Sequence, residues 1–134
     1  MVDLQGIVVT GQGQGRYFTT LPWARAQFLA KLGIDPYPGT LNLRLTDPVM
    51  RKRWQERRVG PAEVIRPEAP GACAARGFHV DLGDSQPAAI IWPQVDGYPE
   101  DQIELIAAVN LRQHFGLSDG AEVRLQILPP AEAR

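Results

Sequence analysis

A chain of 134 residues with 44 % apolar and 22 % charged types sits in the ordinary range of one globular domain, which buries roughly two-thirds of its unfolded surface and needs no disulfide or structural metal. Its one cysteine, Cys73, excludes an internal disulfide, and no Cys/His group has zinc spacing, so a reducing, cytoplasmic compartment is expected. A formal charge of −1 argues against a partner bound by neutralising a long polyanion, and the most apolar runs are far shorter than the roughly 20 residues of a membrane helix.

The N-terminus runs from Met1, Val2 and Asp3 into a strand-like segment, where a signal peptide would need a charged and then an apolar stretch. A soluble single domain over residues 1–134, monomeric and without membrane or nucleic-acid partners, is therefore expected. Glycine and proline, 13 and 12 residues, cut the sequence into short elements. Gly6-Ile-Val-Val-Thr10 is β-branched and reads as a buried strand that empties into Gly11-Gln-Gly-Gln-Gly15, after which Tyr17 and Phe18 resume extended structure. Leu21, Ala24, Phe28 and Leu32 form one apolar helical stripe, with Pro22 in the first turn and Gly33 just past the end.

Asp35-Pro-Tyr-Pro-Gly39 forces a rigid, non-helical path into Thr40-Leu-Asn-Leu-Arg-Leu45. Strict alternation makes the latter a strand, which sends Leu41, Leu43 and Leu45 to the core and leaves Thr40, Asn42 and Arg44 on the other face. From Asp47 to Arg76 there is no clean period, and a short helix around Trp54 followed by a long excursion is expected. Arg51, Lys52, Arg53, Arg57 and Arg58 surround Trp54, which a nucleic-acid patch with a stacking platform would also do. Glu56, Glu63 and Glu68 follow closely, however, as on a solvated face. Phe78–Leu82 and Ala88–Trp92 read as strands joined by a turn at Gly83, Asp84 and Ser85. The last third admits two readings. One is a single amphipathic helix from Pro99 to Phe115; the other is a strand over Ile103–Ala107, a short helix from Asn110 to Phe115, a turn at Asp119-Gly120 and a final strand Val123–Leu128.

Two groups of residues carry chemistry. Gly11, Gln12, Gly13, Gln14, Gly15 and Arg16 follow a strand, and alternate glycines let backbone N–H groups converge as an anion nest beside a guanidinium. The loop is neither the dinucleotide fingerprint nor the common phosphate loop. Thr40 and Asn42, on one strand face, offer two neutral oxygens of the hard kind that magnesium takes when substrate phosphates supply the negative charge. Asp96, Asp101 and Glu104 cluster in sequence, while His79 and His114 lack partners at ligand spacing and are read as structural.

The segments Gly6–Phe18, Leu32–Leu43 and Leu105–Leu117, above all Pro-Tyr-Pro-Gly-Thr-Leu-Asn-Leu, resemble the archaeal CTP-dependent riboflavin kinases in order and spacing, and the resemblance loses register only between about Asp47 and Arg76. It implies a mainly β fold, a compact six-stranded cradle-loop β-barrel with a few short helices, and so selects the strand-and-short-helix reading of the last third. It further implies transfer of a phosphoryl group from CTP to riboflavin, giving FMN and CDP. Nucleotide contacts would come from Gly11–Arg16 together with Val109, Asn110, Leu111 and Arg112, Mg2+ ligands from Thr40 and Asn42, and flavin contacts from Glu104 and the position held by Asp96. Thr40, Asn42 and Glu104 are the expected catalytic set. Asp96 stands where the family has a threonine and Ala108 where it has a proline. An ionised aspartate accepts a hydrogen bond but cannot donate one to a carbonyl, so a different alcohol, or a regulatory module that binds without turnover, is the alternative expectation.

Overall fold

The computed structural model describes residues 1–11 and 14–130. Seven antiparallel strands form one sheet: β1 (Val2–Val9), β2 (Leu41–Arg44), β3 (Glu63–Ile65), β4 (Ala75–Asp81), β5 (Ala88–Pro93), β6 (Gln102–Ala107) and β7 (Glu122–Ile127). The order β4-β5-β6-β2-β1-β7 closes on itself through pairing of Val80 with Ile127 and Asp81 with Gln126, and β3 is appended to the first half of β4. The result is a closed six-stranded barrel, as expected. Four short helices decorate it: α1 (Gln14–Thr20), α2 (Pro22–Gln27), α3 (Pro48–Arg58) and α4 (Leu111–Phe115).

Alternation along the strands feeds two cores. Leu4, Val8, Leu41, Leu43, Leu45, Phe78, Ile90, Ile103 and Leu105 point inward and fill the barrel, with Trp54 from α3 in the same cluster. Ala89, Ile91 and Ile106 point outward from β5 and β6, where they meet Ala24, Phe28, Leu32 and Ile34. That second core explains why Ala88–Ile91 is apolar without interruption: both faces of this part of the barrel wall are covered.

α2 continues as one π-helical turn over Phe28–Leu32, and the apolar stripe read from the sequence lands as expected, with Ala24, Phe28 and Leu32 buried. Gly33 closes it at φ 71°, with Gly33 N–H donating to Leu29 (3.0 Å) and Ile34 N–H to Phe28 (3.3 Å). This left-handed closure suits glycine.

Two expectations are corrected. Tyr17 and Phe18 belong to α1 and are helical, not extended, because Phe18 is drawn edge-on against Trp23 (5.9 Å) and Phe28 (5.7 Å) at the rim of the second core. The stretch from Asp47 to Arg76 is also more ordered than expected. Asp47 caps α3 by accepting from Val49 N–H at 2.8 Å, and β3 follows. Trp54 is 1 % exposed, so the stacking platform of a nucleic-acid patch does not exist. The arginines around it have structural work: Arg51 donates to the carbonyls of Leu45 and Thr46, while Arg57 and Arg58 lie over Phe78 and Trp92. The last third follows the strand, short helix, turn and strand reading.

Phe28 is fully buried where α2 meets the sheet. Phe28→Ala is expected to cost about 3–5 kcal/mol, measured as a lowered midpoint in urea unfolding.

Candidate active site

The site grows out of the register of β2. Asn42 lies between Val9 of β1 and Glu104 of β6, so alternation puts Thr40, Asn42 and Glu104 together on the outer wall of the barrel, at the edge of the second core. Asn42 is 9 % and Glu104 8 % exposed. Groups that polar must find partners inside the protein, and they do. Thr40 Oγ1 donates to Glu104 Oε1 at 2.7 Å, and the Tyr98 hydroxyl donates to Glu104 Oε2 at 2.6 Å. Gln102 Nε2 donates to Asn42 Oδ1 at 2.9 Å. Among the described residues, no cation lies within ion-pair distance of Glu104; its carboxyl is held by hydroxyls alone. Burial first, and then the neighbouring Glu104 charge, push the Tyr98 phenol up and keep it a donor.

The glycine segment lies directly on these side chains. A Cβ on Gly11 would fall 2.2 Å from Asn42 Nδ2, and one on Gly15 would fall 2.3 Å from Thr40 Oγ1 and 2.8 Å from Glu104 Oε1. Glycine is therefore needed at both positions for closeness, a reason distinct from the open amides read in the sequence. Gly15 and Arg16 already belong to α1, with Arg16 exposed. Gln12 and Gly13 lie outside the described residues, and the side chain of Gln14 is likewise not described.

The second expected segment completes a small pocket of about 110 Å³ whose lining includes Tyr37, Gly39, Thr40, Val109, Asn110 and Arg112. Asn110 caps α4, its Oδ1 accepting from Gln113 N–H at 3.2 Å, and Leu111 is buried in the barrel core. Arg112 donates to Asp119 at 2.6 Å and to the Val9 carbonyl at 3.3 Å. Asp119 also accepts from Thr10 Oγ1 at 2.6 Å. It thus joins the residue before Gly11 to α4, so that the two expected nucleotide segments are tied together. The hydrogen bond from Thr10 first, and then the one from Arg112, hold the Asp119 carboxyl below its usual range.

Not every expected residue joins the cluster. Asp96 is exposed in the turn between β5 and β6 and makes no hydrogen bond or ion pair among the described residues. Asp101 faces Arg44 at 3.9 Å, and its carbonyl accepts from Leu45 N–H. Of the three acidic candidates only Glu104 reaches Thr40. Tyr98, Gln102 and Asp119 escaped the sequence reading: Tyr98 reaches Glu104 from the turn before β6, Gln102 reaches Asn42 across the β2–β6 pairing, and Asp119 reads as an ordinary turn residue. A larger open groove of about 450 Å³, lined by Asp3, Met50, Arg53, Asp81, Arg124 and others, shares no residue with this cluster.

Comparison with known proteins bears on this wall of the barrel. The family model CTP-dep_RFKase, described as "Domain of unknown function DUF120", matches residues 8–127. The chain belongs to this family. Proteins named riboflavin kinase are similar along most of it. That of Methanocella arvoryzae is 40 % identical over 92 % of this chain and 56 % of its own length. That of Archaeoglobus fulgidus is 36 % identical over 95 % of this chain and 55 % of its own length, and that of Pyrobaculum islandicum is 36 % identical over 94 % and 60 %. The chain thus spans little more than half the length of the curated relatives it matches. The family match runs through every residue of the cluster.

Two outcomes are expected. Alanine is favoured over glycine in a helix by about 1 kcal/mol, yet Gly15→Ala should lower stability because its Cβ forces Thr40 off Glu104; an unchanged or raised urea midpoint would contradict that steric account. For Asp119, the folded carboxyl titrates below the unfolded one, so its contribution is complete above the usual carboxylate pKa, about 4, and is lost as pH falls through the lower folded value. Asp119→Asn should accordingly melt below the wild type at neutral pH and converge with it in acid, which a series of thermal melts from pH 7 to pH 2 will test.

Proposed function

We propose that this chain is a riboflavin kinase that transfers the γ-phosphate of CTP to the terminal hydroxyl of riboflavin, releasing FMN and CDP. The observation that carries the reading is the seat itself: Gly11 and Gly15 press onto Thr40, Asn42 and Glu104 on the outer wall of the barrel. Family membership supplies the donor and the acceptor, and proteins named riboflavin kinase are similar over more than nine-tenths of the chain.

The donor set suits magnesium. Thr40 Oγ1 donates its hydrogen bond to Glu104 and keeps lone pairs for a cation, and Asn42 Oδ1 has one direction left beside Gln102. Among the described residues no three His, Cys, Asp or Glu converge, which suits an ion that arrives chelated by the triphosphate. When bound, Mg2+ neutralises charge on the transferring phosphoryl group.

Phosphoryl transfer through a loose transition state asks mainly for alignment. The amides of the glycine segment, with Arg16, hold the phosphates, and Val109–Arg112 hold the rest of the nucleotide. Glu104 orients the acceptor hydroxyl and takes its proton as the oxygen bonds to the γ-phosphorus and the bond to the departing CDP breaks. Asp96 and Asp101 are the weaker candidates for that base, one standing apart in solvent and the other facing Arg44. Among the described residues no helix is long and apolar enough to cross a membrane, and we assign the activity to the cytoplasm on the single cysteine. Asp96 in place of the family threonine favours one further reading, in which the acceptor is a different small alcohol.

The purified chain is to be incubated with Mg2+, riboflavin and each nucleoside triphosphate in turn, and phosphorylated flavin followed by chromatography. Product with CTP is expected; nucleotide consumed without FMN would move the assignment to another alcohol, and no turnover to a binding module. Asn42→Ala should lower kcat by about 10- to 1000-fold, as loss of a charge-stabilising contact commonly does, while wild-type rates would remove Asn42 from the site.

A further inference from the structure

Thr19 is 1 % exposed, one of three polar residues buried in the chain's described part, and the other two are Asn42 and Glu104. Its hydroxyl donates to the Gly15 carbonyl at 2.8 Å, with the Arg16 carbonyl at 3.1 Å. Such a bond back to the preceding turn is ordinary for threonine in a helix. The lone pairs do something else. They accept the N–H of Gly39 at 2.8 Å, across a separation of 20 residues. Gly39 holds φ 117°, a backbone state side chains rarely adopt, and it directly precedes Thr40. One hydroxyl therefore grips the carbonyl of Gly15 on one side and the Gly39 amide, next to Thr40, on the other, and a Cβ on Gly15 would fall 2.3 Å from Thr40 Oγ1.

We propose that Thr19 is a positioning residue for a magnesium-chelated nucleoside triphosphate, setting the gap between Gly15 on α1 and the pair formed by Thr40, just before β2, and Asn42 on β2. The proposal rests on the kinase reading for the identity of the ligand, but not for the existence of the tie. Thr19 touches neither phosphate nor metal. It acts through Gly15 and Gly39, whose relative placement decides whether amides and neutral oxygens meet the same phosphate. Loss of one buried hydrogen bond, with its partner left unsatisfied, corresponds to roughly a tenfold change in a binding constant.

The test compares wild type, Thr19→Val and Thr19→Ser. Valine keeps the shape and removes the hydroxyl; serine keeps the hydroxyl. CTP is titrated calorimetrically in the presence of Mg2+, and exchange of the Gly39 amide with solvent is followed by NMR in the free proteins. Binding about tenfold weaker in Thr19→Val, restored to within about twofold by Thr19→Ser, is expected, with Gly39 protected in wild type and Thr19→Ser and fast in Thr19→Val. Equal CTP affinity in the valine and wild-type proteins would overturn the proposal, as would a valine defect that serine does not repair. Should Thr19→Val fail to fold, Thr19→Ala is read in the same way, and fast Gly39 exchange in the wild type alone is also fatal. If the wild type binds no CTP, the kinase reading and the ligand named here both fall, while Gly39 protection still decides whether the tie exists.

Discussion

The whole arrangement depends on one constraint: a barrel wall covered on both faces has no solvent side on which to put polar residues. Where α2 and its π-helical extension cover β5 and β6, the outward positions are Ala89, Ile91 and Ile106. Two residues back along β6 and one strand further, on β2, the outward positions become Glu104 and Asn42, buried almost as deeply. A carboxylate there is tolerated only because Thr40 and Tyr98 place a hydroxyl on each of its oxygens. The site is thus a polar interruption at the margin of an apolar layer, and its geometry is set by the strand register that builds the barrel. A one-residue slip between β2 and β6 would send Glu104 into the barrel and dissolve the cluster.

Rigidity on the strand side is matched by closeness on the glycine side. The segment that leaves β1 is held at both ends: Thr10 and Arg112 share Asp119, Gly120 N–H donates to Val8, and Phe18 anchors α1 against Trp23 and Phe28. Between these anchors Gly11 and Gly15 come within van der Waals reach of Asn42 and Thr40, where any side chain would wedge the two halves apart. Glycine here does more than free the backbone; it removes the atom that would keep amides and ligand oxygens from the same small volume.

These arrangements were legible in the sequence where the signal was local. The alternation Leu41, Leu43, Leu45 against Thr40 and Asn42 stands in the structure as read, since one buried face fixes a strand's register. The stripe of Ala24, Phe28 and Leu32 stands for the same kind of reason. α1 was not legible, because a helix with a glycine, two aromatic residues and two threonines among its seven residues has weak helical preference, and Phe18 finds its partners only once Trp23 and Phe28 are in place. Likewise β3 has three residues, too few for a period. The hydroxyl and amide that serve Glu104 and Asn42, from Tyr98 and Gln102, became visible only with the turn between β5 and β6 in place. The basic run was read rightly as no nucleic-acid site, but the carbonyls that Arg51 and Arg57 serve and the aromatic faces under Arg57 and Arg58 were not legible, because nothing in the sequence marks them as partners.

Charge around the cluster is divided in a way that bears on how a triphosphate could be held. Arg112 already faces Asp119 and Arg44 already faces Asp101, both at exposed positions where an ion pair is worth little, yet each carboxylate offsets the charge of a guanidinium. Glu104 adds a negative charge of its own close to Thr40. A triphosphate entering such a seat would find amides, neutral oxygens and Arg16, but no surplus of fixed positive charge among the described residues. On the kinase reading proposed above, a counterion accompanies the nucleotide, so the neutral oxygens of Thr40 and Asn42 and the carboxylate of Glu104 belong to one logic: these side chains would supply shape and hydrogen bonds, and neutralisation would fall to the cation that arrives with the nucleotide.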